Sequence, residues 1–232
     1  MSVWILPDTY PEGQEDAIAA PRLPEPRRAG DGMKAPAGVI LAGGQGRRMG
    51  GADKAALRLG GRALIDHVAD RFLPQVDPAA ISANGDPGRF ARFGLPVLAD
   101  GPDEGLGPLA GVLAGLDWAA GAGADTVVTV SVDTPFLPQD LVPRLLMVTE
   151  GMTAPLAVAA GPDGIHPTCA LWPVAIREDL RAALRQGVRR IGAWAEEMGA
   201  RRAFFPDGET AFLNLNRPDD IARAEALLAG GA

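Results

Sequence analysis

The segment "PAGVILAG", residues 36–43, is apolar without interruption. A strand with one wet face alternates apolar and polar side chains, whereas a run that is apolar throughout has to be covered on both faces. A sheet built around such a strand needs helices above and below it, so the chain that follows should alternate strand with helix.

It does. "ALIDHVADRFLP" spaces Leu64, Val68 and Phe72 four residues apart, one face of a helix that stops at Pro74. "AAISAN" and "LPVLAD" read as short strands, and "GPLAGVLAGLDWAA" as a helix whose glycines permit close backbone packing. "DTVVTVSVD" is the strongest strand pattern in the chain and ends at the breaker Pro135. "PQDLVPRLLMV" predicts a helix with Pro138 near its start, followed by strands in "APLAVAAG" and "IHPTCALW". Two further helices are expected in "AIREDLRAALRQG", closed by Gly187, and "RRIGAWAEEMG". In "RPDDIARAEALLAG", Pro218 and two aspartates mark a helix start and Gly230 its stop. The expected class is α/β, a mostly parallel sheet between two helical layers.

Ligands of such sheets bind beyond the carboxyl ends of the strands. The glycine-rich segment after Leu41, together with Asn84, Asp100 and Asp133, falls at predicted strand ends and so belongs to one rim. The 232 residues suffice for one sizeable core, and residues 33–232 read as a single domain. Residues 1–32 carry prolines at 7, 11, 21, 24 and 26, mixed charge and no apolar period, the composition of a disordered extension. The extension is expected to have no catalytic role; an upstream start, with Met33 the functional first residue, is a further reading. A net charge of −7 argues against nucleic acid as the main partner. No apolar run approaches the length of a membrane span. The single cysteine, Cys169, cannot form an internal disulfide, which fits a reducing, cytoplasmic setting.

The segment "LAGGQGRRMGGADK", residues 41–54, carries five glycines, two arginines and a lysine. Glycines let successive N–H groups face an anion. A strand-to-helix turn alone would not need Arg47, Arg48 and Lys54. A dinucleotide-binding turn fails at Met49, where its third glycine should stand, and a P-loop fails because Asp53 and Ala55 flank Lys54. Every fixed position of L-A-G-G-x-x-x-R-M-G-G-x-D-K is present, and the segment closely resembles the signature of the molybdenum cofactor guanylyltransferases. "GPLAG" at 107–111, "DTPFLP" at 133–138, "HPTCAL" at 166–171, "RRI" at 189–191 and "FLNLNRPDD" at 212–220 resemble that family in the same order. The likeness runs from Val39 to the last helix and leaves out the first 32 residues. Two departures stand within it: Ser131-Val132 where the family usually has Pro-Cys, and Arg217 where a threonine is common.

The resemblance implies a three-layer, Rossmann-like nucleotidyltransferase fold and the transfer of GMP from GTP to the terminal phosphate of molybdopterin, with release of pyrophosphate. Both substrates are anionic, so such a site must neutralise charge and align the groups. In that setting the backbone of Gly43, Gly44 and Gly46 can cradle phosphates, Arg48 can clamp the leaving pyrophosphate, and Lys54 suits the α-phosphate. Asp133 is the candidate ligand for Mg²⁺, with an Asx-type cap before Pro135 as the structural alternative. By resemblance, Leu41, Ala42 and Gly43 contact the nucleotide through their backbone, and Asn84 and Asp100 line the GTP site. Both of these have ordinary turn residues as their alternative. Asn214 and Asn216 alternate on a strand-like "FLNLN" and are assigned to the molybdopterin side, although Asn216 could instead cap the helix near Pro218. An attacking ionised phosphate has no proton to lose, so His166 is expected to pack rather than act as a base.

The nearest rival is a molybdopterin cytidylyltransferase, typically L-A-A-G where this chain has "LAGG", so Gly43 favours guanine. A sugar-phosphate nucleotidyltransferase often carries hexapeptide repeats, which residues 187–232 lack. A non-catalytic carrier of nucleotide or cofactor would have no need to keep Lys54 and Asp133. Molybdoenzymes or molybdenum-cofactor delivery proteins are the macromolecular partners implied.

Overall fold

The computed structural model describes residues 35–43, 45–46, 52–101 and 105–230. The expected disordered extension at 1–32, and Gly44, Arg47 and Arg48, lie outside the described residues.

Strand β1 (Ala37–Leu41) lies at the centre of the sheet and is buried at every position, as its unbroken apolar run requires. Two short ribbons follow, β2 (Gln45–Gly46) with β3 (Ala52–Asp53) and β4 (Arg58–Leu59) with β5 (Arg62–Ala63). Helix α1 (Leu64–Phe72) leads to β6 (Ala79–Ser82) and β7 (Val97–Leu98), and α2 (Pro108–Gly121) to β8 (Thr126–Ser131). Then come α3 (Leu141–Val148), β9 (Ala157–Gly161), β10 (Gly164–Pro173), α4 (Arg177–Arg185) and α5 (Ile191–Glu197). The chain finishes with β11 (Arg201–Phe204), α6 (Gly208–Ala211) and α7 (Pro218–Ala229).

Among the described residues the main sheet has seven strands in the order β11-β9-β10-β8-β1-β6-β7. β10 runs antiparallel to both its neighbours, and the other pairings are parallel. Side chains alternate across the sheet as strand geometry demands. Ile40, Val128, Val130 and Leu171 enter the core under α1 and α3, while Val39, Leu41, Val127 and Trp172 enter the core under α2, α4 and α5. The mostly parallel three-layer expectation therefore holds.

Elements also sit where the sequence patterns put them, with instructive exceptions. Leu64, Val68 and Phe72 are fully buried, and Pro74 falls in a single 3-10 turn after α1. α3 starts at Leu141 rather than near Pro138. The Gln75 side chain reaches over from the turn after α1, accepts from Val142 N–H at 2.9 Å and donates to Pro138 O at 3.1 Å. A start signal supplied by a residue this remote in sequence has no local pattern. "LPVLAD" pairs only over Val97–Leu98, and β11 went unforeseen because "RRAF" is half charged.

Glycine is needed where the layers touch. A Cβ on Gly111 of α2 would lie 2.7 Å from Ser82 Oγ and 3.0 Å from Leu41 Cδ2, so this helix can approach the sheet only without one. Gly38 is tighter still: a Cβ there would lie 2.3 Å from Val76 Cγ2 and 2.8 Å from Val76 Cβ. We expect Gly38→Ala to destabilise the protein by about 1–3 kcal/mol, the usual cost of overpacking, with a lowered melting temperature. Gly121→Ala, with nothing among the described residues within 4 Å of the added carbon, should leave melting nearly unchanged. Equal melting of the two variants would contradict this packing account.

Candidate active site

Register places the strand ends side by side. Leu41 is level with Ser131 on one flank and Ser82 on the other, and Ser82 with Leu98. The backbone stays paired just beyond the strands: Ala42 N–H donates to Ser82 O, Ala83 N–H to Leu98 O, and Val132 N–H to Leu41 O. Four chain segments thus leave the sheet together, carrying Gly43, Asn84, Asp100 and Asp133. The single rim inferred from sequence is present.

At its centre stands Lys54, in a short 3-10 turn directly after β3. Its ammonium donates to Asp133 Oδ2 at 2.8 Å and to Asn216 Oδ1 at 2.5 Å. Ser131 Oγ donates to the other Asp133 oxygen, Oδ1, at 2.5 Å. Only 18% of the Lys54 side chain and 11% of that of Asp133 is exposed, so this ion pair is poorly hydrated. Asn216 Nδ2 in turn donates to Asn214 Oδ1 at 2.8 Å, and Leu215 N–H to Asp133 O at 2.9 Å. The segment that brings Asn216 in is therefore tied to the aspartate's own backbone.

The second cluster is the pair Asn84 and Asp100. Asn84 Nδ2 donates to Asp100 Oδ2, and Asp100 N–H donates back to Asn84 Oδ1, both at 2.9 Å. Arg89 donates to Asn84 O at 2.7 Å. These bonds lock the loops after β6 and β7 together, more than a simple turn residue would do.

One sequence expectation needs correction and one alternative falls away. "FLNLN" forms no strand: Leu213 and Leu215 face inward and Asn214 outward in alternation, but without a sheet partner. The alternation came from burial of the leucines alone. Asn216 does not cap α7 either. Its side chain is committed to Lys54 and Asn214, and the Asp220 carboxylate accepts from Asn216 N–H and Arg217 N–H instead. Two features escaped the sequence reading. Ser131 was noted only as a departure, although a hydroxyl two residues before an aspartate on a strand end is within reach of its carboxylate. The meeting of Lys54 with Asn216 joins residues assigned to different substrates, and no local pattern encodes it.

Among the described residues no three His, Cys, Asp or Glu side chains come together to cage a metal ion. Mg²⁺ needs no such cage, since it is commonly held by one or two carboxylates plus substrate phosphates and water. Asp133, buried at the rim with both oxygens in polar contact, fits that role.

His166 sits at the start of β10, where the pairing with β9 is interrupted by a bulge between His166 and Ala170. Its ring stacks on Phe212 with centroids 4.3 Å apart. Burial lowers its pKa below the ordinary imidazole value, against the smaller opposing effect of Asp163. Cys169, in the same bulge, is fully buried behind Asp133.

The residues align with known proteins over most of the chain. A family model, the MobA-like NTP transferase domain, matches residues 38–200. A molybdenum cofactor guanylyltransferase of Cereibacter sphaeroides is 61% identical over 191 residues, covering 82% of this chain and 96% of the relative. One from Mesorhizobium japonicum is 48% identical over 198 residues, covering 83% and 95%. Among solved structures, molybdopterin-guanine dinucleotide biosynthesis protein A from Archaeoglobus fulgidus superposes with a TM-score of 0.68 at 23% identity, covering 84% of this chain and 99% of that one. No helix among the described residues is long and apolar enough to cross a membrane.

Burial pushes the Cys169 thiol up to about 12, so at pH 8 it stays protonated as well as inaccessible. A disulfide reagent should therefore find no reactive thiol in the native protein and one after unfolding in guanidinium. Rapid native labelling would contradict the buried position.

Proposed function

This chain belongs to the family of MobA-like NTP transferases, and we propose that it is a molybdenum cofactor guanylyltransferase, joining GMP from GTP to the terminal phosphate of molybdopterin and releasing pyrophosphate. The observation that carries this reading is the Lys54 ammonium, shared between Asp133 of the central sheet and Asn216 of the C-terminal segment. One positive charge stands where a nucleotide side and an acceptor side meet.

In this reading a terminal phosphate oxygen of molybdopterin attacks the α-phosphorus of GTP. A new P–O bond forms as the bond to pyrophosphate breaks, and no proton has to be removed from the ionised nucleophile. Lys54 offsets negative charge building at the α-phosphate, an effect strengthened by its poor hydration. Ser131 and Leu215 hold Asp133 by its side chain and backbone respectively. Asp133 would hold a divalent cation, which we assign as Mg²⁺; bound there with substrate phosphates it supplies charge neutralisation. Asn84 and Asp100 line the nucleotide site with the backbone of Leu41, Ala42, Gly43 and Gly44. Arg48 clamps the departing pyrophosphate, and Asn214 and Asn216 contact molybdopterin.

The preference for guanine has a specific support. Gly43 is exposed, has no positive φ, and among the described residues a Cβ there would meet only Ser82 O at 3.9 Å. The packing of the described residues does not require glycine at this position. A missing side chain that folding does not need leaves room for a larger base. Cytosolic action, delivery to molybdoenzymes and a dispensable segment 1–32 complete the proposal.

The test is nucleotide competition with molybdopterin supplied: GTP should support Mg²⁺-dependent pyrophosphate release and CTP should not. Turnover with CTP would make the enzyme a cytidylyltransferase, and nucleotide binding without turnover would make it a carrier. Asp133→Asn keeps the side chain's size and should still fold, yet lose transfer by roughly two or more orders of magnitude. Melting and pyrophosphate release measured side by side check this; intact melting with normal release would remove Asp133 from the machinery.

A further inference from the structure

The acceptor-side asparagines lie on a segment with no sheet partner, so something other than a ladder has to hold them. Leu213 and Leu215 are buried, and the residue just before them, Phe212, is 3% exposed. Phe212 is gripped on two sides. The His166 ring stacks on it at 4.3 Å with planes 25° apart, and Phe205 meets it edge-on at 5.2 Å. Before Phe212, α6 is pressed onto β9 so closely that a Cβ on Gly208 would lie 2.7 Å from the Gly161 Cα. The chain from Gly208 to Asn216 is thus clamped at Gly208, at Phe212 and at Leu215 N–H, which donates to Asp133 O. Asn216 then meets Lys54 at the end of that clamped run.

His166 makes the central clamp with its ring face. Its buried Nε2 lies 3.2 Å from Asp163 Oδ1. The bulge keeps this ring in place: Thr129 Oγ1 receives Trp172 Nε1–H at 2.9 Å and donates to Thr168 O at 2.9 Å, pinning the bulged backbone to β8. We propose that His166 is a positioning residue for the acceptor side, which through its stack on Phe212 sets the place of Asn214 and Asn216 relative to Lys54. It touches no reacting atom. The inference rests on the assignment of those asparagines to molybdopterin.

What matters in this account is a flat ring, so His166→Phe should preserve it and His166→Asn should not. Loss of the stack is expected to raise KM for molybdopterin on the order of tenfold, the scale of one aromatic pair. KM for GTP should stay within about twofold, because the pair Asn84 and Asp100 is untouched. His166→Phe should return both constants to within about threefold of the parent. The side-chain amide resonances of Asn214 and Asn216 should shift in His166→Asn and not in His166→Phe, a readout that needs no acceptor. Equal losses in both variants, or unmoved amide resonances in His166→Asn, would overturn the proposal. Asn214→Ala is the separate control for the underlying assignment: if its molybdopterin KM is unchanged, that assignment fails, while the amide resonances still report on the stack.

Discussion

One ammonium group holds the rim together. Lys54 joins the loop region after β1 to the end of β8 through Asp133, and to the C-terminal segment through Asn216. A cation so poorly hydrated requires strong acceptors, and the aspartate in turn needs its cation. The contact therefore has two sides to it. Without ligand, it satisfies charges that would otherwise stand unpaired. In the proposed function, anionic phosphates would offer the same ammonium a competing set of oxygens.

The sheet makes this meeting geometrically possible. Parallel strands bring their carboxyl ends to one edge, which accounts for Gly43, Asn84, Asp100 and Asp133. β10 runs the other way, so it enters at that edge rather than leaving there. The reversal puts the beginning of β10, with His166 and Cys169, beside the ends of its neighbours. The half of the rim proposed for the acceptor is consequently furnished by strand starts and loops, and the half proposed for the nucleotide by strand ends.

Those two halves were unequally legible in the sequence. Strand ends in a parallel sheet follow directly from apolar runs, so the single rim could be read from "PAGVILAG", "AAISAN", "LPVLAD" and "DTVVTVSVD" before any coordinates. The family signature added candidate roles but no distances. What escaped depends on pairs far apart in the chain: Gln75 starting α3, Asp220 rather than Asn216 capping α7, and Asn216 reaching Lys54. The alternating "FLNLN" misled because a period of two records which side chains are buried, not whether the backbone has a sheet neighbour. Ser131 shows the opposite case, a departure from the family pattern with its own bond to Asp133.

The contact between Lys54 and Asn216 spans 162 positions of the chain. Closing a loop that long carries an entropic cost that local contacts do not share. During synthesis, β1, β6 and β8 leave the ribosome well before the last segment, and Lys54 can find Asp133 while Asn216 is still missing. The ion pair is thus available to the nascent chain, and the shared ammonium only to the finished one. The rim closes in the order of the chain, the pair of Lys54 and Asp133 being available before Asn216 has been added.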